Sequence, residues 1–387
     1  LQGYGAMNYY YFDWQTDPLK RSAVDLERFI LQPGYRWNAH TKLNAEIEFE
    51  HGGTGVELEF DRFEEFGEFE FDVAKGGEVL LEQMNIEFST RHKALNFRLG
   101  RQKVPFALMF SRDEPTDYLT ATVSESEITI LPTNWTDNGI GIYGAWGKKG
   151  YWKYHFSLLN GLDGSAFNSA NWIKRGNQKR FEMANADSWA LAVRLDYEWG
   201  NEKLAGVSFY GGNTTGNRPK PDLTAATPVL MGEAHVLFEQ EPFYVAALAM
   251  YGTLGNSEAL SNANRNLSNN LNVKRTPVGA AAIASYLELG LEIFHTTLLW
   301  GGKHPDAECW LYGRYDYYDS MAKTEGLIFN NPRWERHSWT VGAKYELLKQ
   351  VQFKLQYTDR TVGAPAASSP NAGTHEHDAV AGFCFEF

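Results

Sequence analysis

The chain has 387 residues and a formal net charge of -12, which excludes a nucleic-acid partner, since phosphates are held through a basic patch that displaces their counterions. Apolar residues make up 43% and the mean hydropathy is -0.42; no stretch approaches the ~18 consecutive apolar residues of a membrane-crossing helix, so a helical membrane protein is excluded too. The aromatic content of 14%, with 24 Phe, 20 Tyr and 12 Trp, suits a barrel girdled by rings at both membrane interfaces.

The chain opens directly in strand-like sequence at Leu1-Gln2-Gly3-Tyr4, as expected of a mature form whose targeting segment has been removed. Strands that cross a membrane run ~9–11 residues and alternate, because lipid touches one face and water the other. That rule predicts strands at 2–13, 23–37, 41–50, 79–91, 95–105, 137–147, 152–162, 187–199, 204–213, 229–239, 242–254, 278–289, 308–319, 335–347, 350–361 and 377–387. The pattern is plainest where Leu191, Val193, Leu195 and Tyr197 oppose Arg194, Asp196 and Glu198, and where Val351, Phe353, Leu355 and Tyr357 oppose Gln352, Lys354, Gln356 and Thr358. In the terminal segment, Ala379, Ala381, Phe383, Phe385 and Phe387 oppose Asp378, Val380, Gly382, Cys384 and Glu386. Short connections (92–94, 148–151, 200–203, 348–349) take turns with long ones (51–78, 106–136, 163–186, 214–228, 255–277, 320–334, 362–376), the rhythm of periplasmic turns and external loops. No Pro/Gly/Ser-rich linker divides the chain. The expectation is one domain over 1–387, all-β, a transmembrane antiparallel barrel of about 16 strands. Two places fit poorly: the 23–37 segment broken by Pro33-Gly34, and a long turn at 290–307 on the periplasmic side.

Other motifs carry little chemistry. GIGIYG at 139–144 has the glycine spacing of a dinucleotide site but precedes a strand end and turn, not a helix. His375 and His377 flank Glu376 in an expected external loop and make too few ligands for a metal site. His304-Pro305-Asp306 reads as a turn. Cys309 and Cys384 fall on segments roughly 14 Å apart, too far for a disulfide. No cofactor and no metal are expected.

The segments AECWLYGRYDYYD, SWTVGAKYELLKQVQFKLQYTD and AGFCFEF of the last third, with RLGRQKVPF earlier, together resemble the phosphate-selective porin O and P family of Gram-negative outer membranes. AECWLYGRYDYYD at 307–319 is similar to a late strand of that family, with Arg314 inward and Tyr315 and Tyr317 outward; SWTVGAKYELLKQVQFKLQYTD at 338–359 is similar to the following hairpin, and AGFCFEF at 381–387 to its terminal strand. RLGRQKVPF at 98–106 is similar to the strand that leads into an inward-folded loop. The resemblance implies a homotrimer of 16-stranded barrels in a bacterial outer membrane, each narrowed by its third external loop, with neither enzyme activity nor cofactor.

The sequence departs from that family in its charge. The candidate constriction loop, 106–136, holds Asp113, Glu114, Asp117, Glu125 and Glu127 against Arg112, while Arg98, Arg101 and Lys103 precede it as a candidate basic side of the eyelet. The run 56–72 is more acidic still, with Arg62 its only base, and its arms 56–60 and 68–72 suggest a hairpin that latches a neighbouring subunit or packs on its own rim. Expected lumen-wall groups include Glu46, Glu48, Asp196, Asp316 and Glu346 with Arg194, Arg314, Lys344 and Lys354. Rings of charge at a narrow point select ions, so the expectation is passive diffusion of small hydrophilic solutes or ions with a lean towards cations. The acidic loops read first as solvated, self-repelling faces outside the membrane and second as a charge filter. The alternatives are an anion- or phosphate-selective pore and a non-conducting binding or adhesion barrel. A barrel hydrolase built on His155 and Ser157, both inward, is disfavoured, because strand neighbours two apart stand ~7 Å from each other.

Overall fold

The computed structural model describes residues 1–53, 59–60, 71–72, 78–91, 94–147, 150–178, 184–267, 275–294, 307–365, 370 and 373–387. Sixteen antiparallel strands form one closed barrel: β1 Gln2–Trp14, β2 Ala23–Gln32, β3 Thr41–Glu50, β4 Glu78–Ser89, β5 Asn96–Lys103, β6 Thr136–Trp146, β7 Tyr151–Asn160, β8 Trp189–Gly200, β9 Lys203–Asn213, β10 Pro228–Gln240, β11 Phe243–Leu254, β12 Ala281–Glu292, β13 Glu308–Lys323, β14 Glu335–Leu348, β15 Val351–Val362 and β16 His375–Glu386. Each strand pairs with its sequence neighbours, and β1 closes the ring by pairing with β16. Gly3 and Phe387 exchange backbone hydrogen bonds of 3.0 and 2.9 Å, which seals the two chain ends together.

Proline explains the weak segment. Pro33 has no N–H to give the ladder, so β2 stops at Gln32 and resumes as Gly34–Arg36 against β3. The Pro33 carbonyl still accepts from Ala45 at 3.0 Å, so the strand is interrupted and not lost. Elsewhere the boundaries move by a few residues: β12 begins at Ala281 and β13 runs on to Lys323. His375–His377 lies in β16 and not in a loop, because the ladder with β15 extends to Thr361. Of the 290–307 turn, residues 295–306 lie outside the described residues, His304 among them. Most of the acidic 56–72 run does too; Glu59–Phe60 pairs with Phe71–Asp72, as a hairpin requires. Residues 139–144 are strand, inside β6. Both cysteines are free.

The expected alternation holds on β14 to β16. Trp339, Val341 and Leu355 are 64%, 55% and 61% exposed and face outward, while Thr340 and Lys354 are buried inside. A polar inner face on every strand is not found. Along β11 the inward residues are Tyr244, Ala246, Leu248, Met250 and Leu254, all buried. The reason is that these side chains do not meet water. They join one apolar cluster with Phe106, Leu108, Leu119, Ile130 and Leu131 of the β5–β6 connection and with Leu162, Phe167, Trp172 and Ile173 of the β7–β8 connection. Burying that surface repays each apolar inner residue as a protein core would. The lumen is therefore filled along β11, and the open polar space lies along β1–β3 and β13–β16.

Candidate functional site

The β5–β6 connection, residues 104–135, is held by lumen-facing side chains around the barrel. Near its start Arg194 of β8 donates to the Ala107 carbonyl, and Arg112 pairs with Glu202 in the tight β8–β9 turn at 3.1 Å. Lys354 of β15 then donates to the Pro115 and Tyr118 carbonyls at 2.5 and 2.6 Å, and Gln352 to the Thr116 carbonyl at 3.1 Å. Thr116 Oγ1 donates to Glu386 at 3.3 Å; Glu202, Gln352 and Glu386 all stand at the end of the barrel with short turns, so residues 112–118 span the lumen close to that end. The segment then climbs along β13 and β15. Arg314 donates to Thr120 Oγ1 at 2.9 Å, and Gln356 Oε1 accepts from the Ala121 amide at 3.0 Å. A short helix, α1, follows at Glu125–Ile130. Asp316 receives Ser124 Oγ, Ser126 Oγ and the Ser126 amide at 2.7, 2.9 and 3.1 Å. A carboxylate there satisfies donors that a helix start leaves open.

These contacts neutralise most of the predicted constriction charges. Lys103 donates to both oxygens of Asp113 at 2.6 Å. Glu125 binds Arg360, which also holds Glu376 and Asp378 at 2.7 and 2.9 Å. Burial works against ionising Glu125, yet the guanidinium and the Ser338 hydroxyl win and hold its carboxyl down at about 2. Glu127 accepts from the Met109 amide at 3.0 Å. Burial, with Glu233 adding, pushes it up to about 7. Burial likewise pushes Asp117 up to about 7 against the pull of Arg112, and raises Glu114. The basic group disperses: Arg98 lies 3.4 Å from Glu87 and over the Tyr143 ring, while Arg101 is 1% exposed and donates to the Glu82 and Gln178 carbonyls.

The wall residues pair as well. Glu48 meets Arg28 at 2.8 Å and accepts from Asn134; Glu46 accepts from Gln83 at 2.8 Å. Arg194 with Asp196, Arg314 with Asp316 and Lys344 with Glu346 form pairs at 2.8, 2.7 and 2.5 Å. His155 packs between the Phe110 and Tyr143 rings, with centroids at 4.9 and 5.6 Å. His375 and His377 each lie 3.4 Å from Asp359 on the outer face, and no group of three or more His, Cys, Asp or Glu among the described residues is placed to hold a metal.

Above the 112–118 crossing opens a cavity of about 650 Å³ towards the long loops. Its lining includes eight carboxylates (Asp17, Glu27, Glu48, Glu50, Asp113, Glu125, Glu376, Asp378) against five lysines and arginines (Lys20, Arg28, Arg333, Arg336, Arg360) and His51, with Met109, Asp113 and Tyr118 at its inner end. Arg360 was missed in the sequence although the inward series Gln352, Lys354, Gln356, Thr358 leads straight to it. Tyr10, Phe12 and Trp14, also on this lining, were missed because Tyr9 and Tyr11 make both faces of β1 aromatic.

No family model matches the chain. An uncharacterized protein of Aquifex aeolicus (strain VF5) is 26% identical over 373 residues, which cover 92% of this chain and 74% of that protein. Among solved structures, the outer membrane channel DcaP of Acinetobacter baumannii matches with a TM-score of 0.55 at 9% identity, over 100% of this chain and 96% of the other. An anion-selective porin from Comamonas acidovorans matches with a TM-score of 0.54 at 12% identity, over 100% and 98%. OmpF of Salmonella typhi, in complex with daunomycin, matches at 0.54 and 8% identity, over 100% and 96%. The closed sixteen-stranded barrel with its outward apolar band thus has the fold of the outer-membrane porins.

Proposed function

We propose that the chain is an outer-membrane porin through which small hydrophilic solutes and ions diffuse along the polar cavity in the lumen, with no catalytic step and a preference for cations. Residues 104–135 act in this reading as the inward-folded third external loop that sets the narrowest point. The observation that carries it is the charged cavity, with eight carboxylates against five lysines and arginines and His51. Carboxylates fixed where an ion sheds hydration favour cations. The likeness of the last third to the phosphate-selective porins supports a distant kinship and, through it, a homotrimer; the acidic lining argues against phosphate selectivity. A second reading has support of its own: Arg333, Arg336 and Arg360 cluster on one wall of the same cavity, as an anion path would need. The deep crossing at 112–118 keeps a non-conducting binding barrel in view.

Single-channel recording in a planar bilayer, with the reversal potential read under a potassium chloride gradient, separates these readings. Cation selectivity that turns towards anions in Glu376→Gln/Asp378→Asn, which leaves Arg360 facing the cavity, is the expected result. Anion selectivity of the wild type would install the second reading, and folded protein without conductance would sink the pore.

A further inference from the structure

Three aromatic side chains step up the inner face of β1 from the middle of the lumen to its outer mouth. Tyr10 and Phe12 stack nearly parallel, with centroids 5.9 Å apart and planes 6° apart; Phe12 and Trp14 follow edge to face at 5.7 Å. All three border the 650 Å³ cavity. An inward aromatic strip is unusual where water is expected, and here it has an occupant. The Lys20 ammonium lies 3.8 Å from the Trp14 ring centroid and 4.9 Å from that of Phe12. Trp14 itself is held in place: its indole N–H donates to Asp378 at 2.5 Å, and the Arg360 guanidinium lies 5.5 Å from its centroid.

Lys20 is exposed, so its seat is weak. A cation over an aromatic face gains little at an exposed site, and an ordered lysine gives up much of its rotamer freedom to stay there. Two carboxylates stand beside the strip on the same cavity lining. Glu27 accepts hydrogen bonds from Asn8 Nδ2 at 2.5 Å and from the Tyr10 hydroxyl at 3.4 Å. Asp17 accepts from the Leu19 amide at 3.2 Å. Neither has an ion-pair partner within 4.0 Å among the described residues.

We infer that Tyr10, Phe12 and Trp14, backed by Glu27 and Asp17, form a binding strip for organic cations, a quaternary or alkylated ammonium group above all, and that Lys20 is its displaceable internal substitute. Such a group suits the strip better than a metal ion or potassium does, because it sheds water readily and offers apolar surface to the rings. The inference rests on the cation-conducting reading and names the solute class that the mouth concentrates.

The test is block of potassium current by benzyltrimethylammonium added on the long-loop side, with maltose as a neutral ring-stacking control. Saturable block by the cation and none by maltose is expected. The half-blocking concentration should rise about tenfold in Phe12→Leu/Trp14→Leu and fall several-fold in Lys20→Ala, which vacates the strip. Lys20→Ala removes an exposed side chain and keeps the test standing if the double variant does not fold. Equal block in wild type and Lys20→Ala, weaker block in Lys20→Ala, or block by maltose as strong as by the cation would each overturn the inference. The wild-type reversal potential in potassium chloride alone fails separately, and its failure would strike the pore reading instead.

Discussion

Glu125 and Glu127 stand two residues apart on α1 and meet opposite fates. Glu125 reaches across to Arg360 and stays ionised, whereas Glu127 is buried, 2% exposed, with a backbone amide as donor and Glu233 nearby. Its carboxyl, ordinarily at 4.5, is pushed up to about 7, so the folded state holds the proton more tightly than the unfolded state does. The stability that this proton brings is fully present below about pH 4.5 and is lost as the pH rises to about 7; the loss is on the order of 3 kcal/mol. Glu127→Gln should therefore melt above wild type at pH 8 and together with it near pH 4.5, followed by circular dichroism in detergent. A difference of the same size at both pH values would refute the assignment. None of this was legible in the sequence, where both residues count equally as constriction carboxylates. Their partners are remote: Arg360 lies 235 residues from Glu125.

Among the elements, the strands were readable and the loop packing was not. A strand such as β15 must satisfy lipid on one side and water on the other, so Val351, Phe353 and Leu355 stand out against Gln352, Lys354 and Gln356. On β11 that contrast vanishes, because the inner face meets the β5–β6 and β7–β8 connections and both faces are apolar. The strand is still found by its length and turns, but its inner face says nothing of a channel. The same burial explains why 104–135 reads as an acidic loop and behaves as a packed plug, with Asp113 and Glu125 ion-paired and Phe106, Leu108 and Leu119 buried. Within that plug Tyr118 stands at the inner end of the cavity, with Lys354 4.4 Å from its ring centroid. Tyr118→Ala removes the bulkiest ring at that level while its backbone carbonyl still accepts from Lys354. Single-channel conductance should rise, by roughly twofold if this level is the narrowest, with little change in reversal potential. Unchanged conductance would move the constriction elsewhere.

For the molecule as a whole, selectivity depends on how far its charges stand from the path of an ion. The paired groups, Lys103 with Asp113 and Arg314 with Asp316, cancel at short range. What remains is seven carboxylates against five lysines and arginines and His51 around a cavity of about 650 Å³, a field that acts across water and not by contact. Such a field is screened over ~10 Å at 0.1 M salt and over ~3 Å at 1 M. At a fixed ratio of potassium chloride across the bilayer, the cation preference should be strong at ~0.1 M and fade towards neutrality at ~1 M. A filter that strips and coordinates the ion directly, by contrast, keeps its permeability ratio as salt rises. A reversal potential independent of mean ionic strength would therefore show selection by contact at the 112–118 crossing, and would take the vestibule carboxylates out of the mechanism.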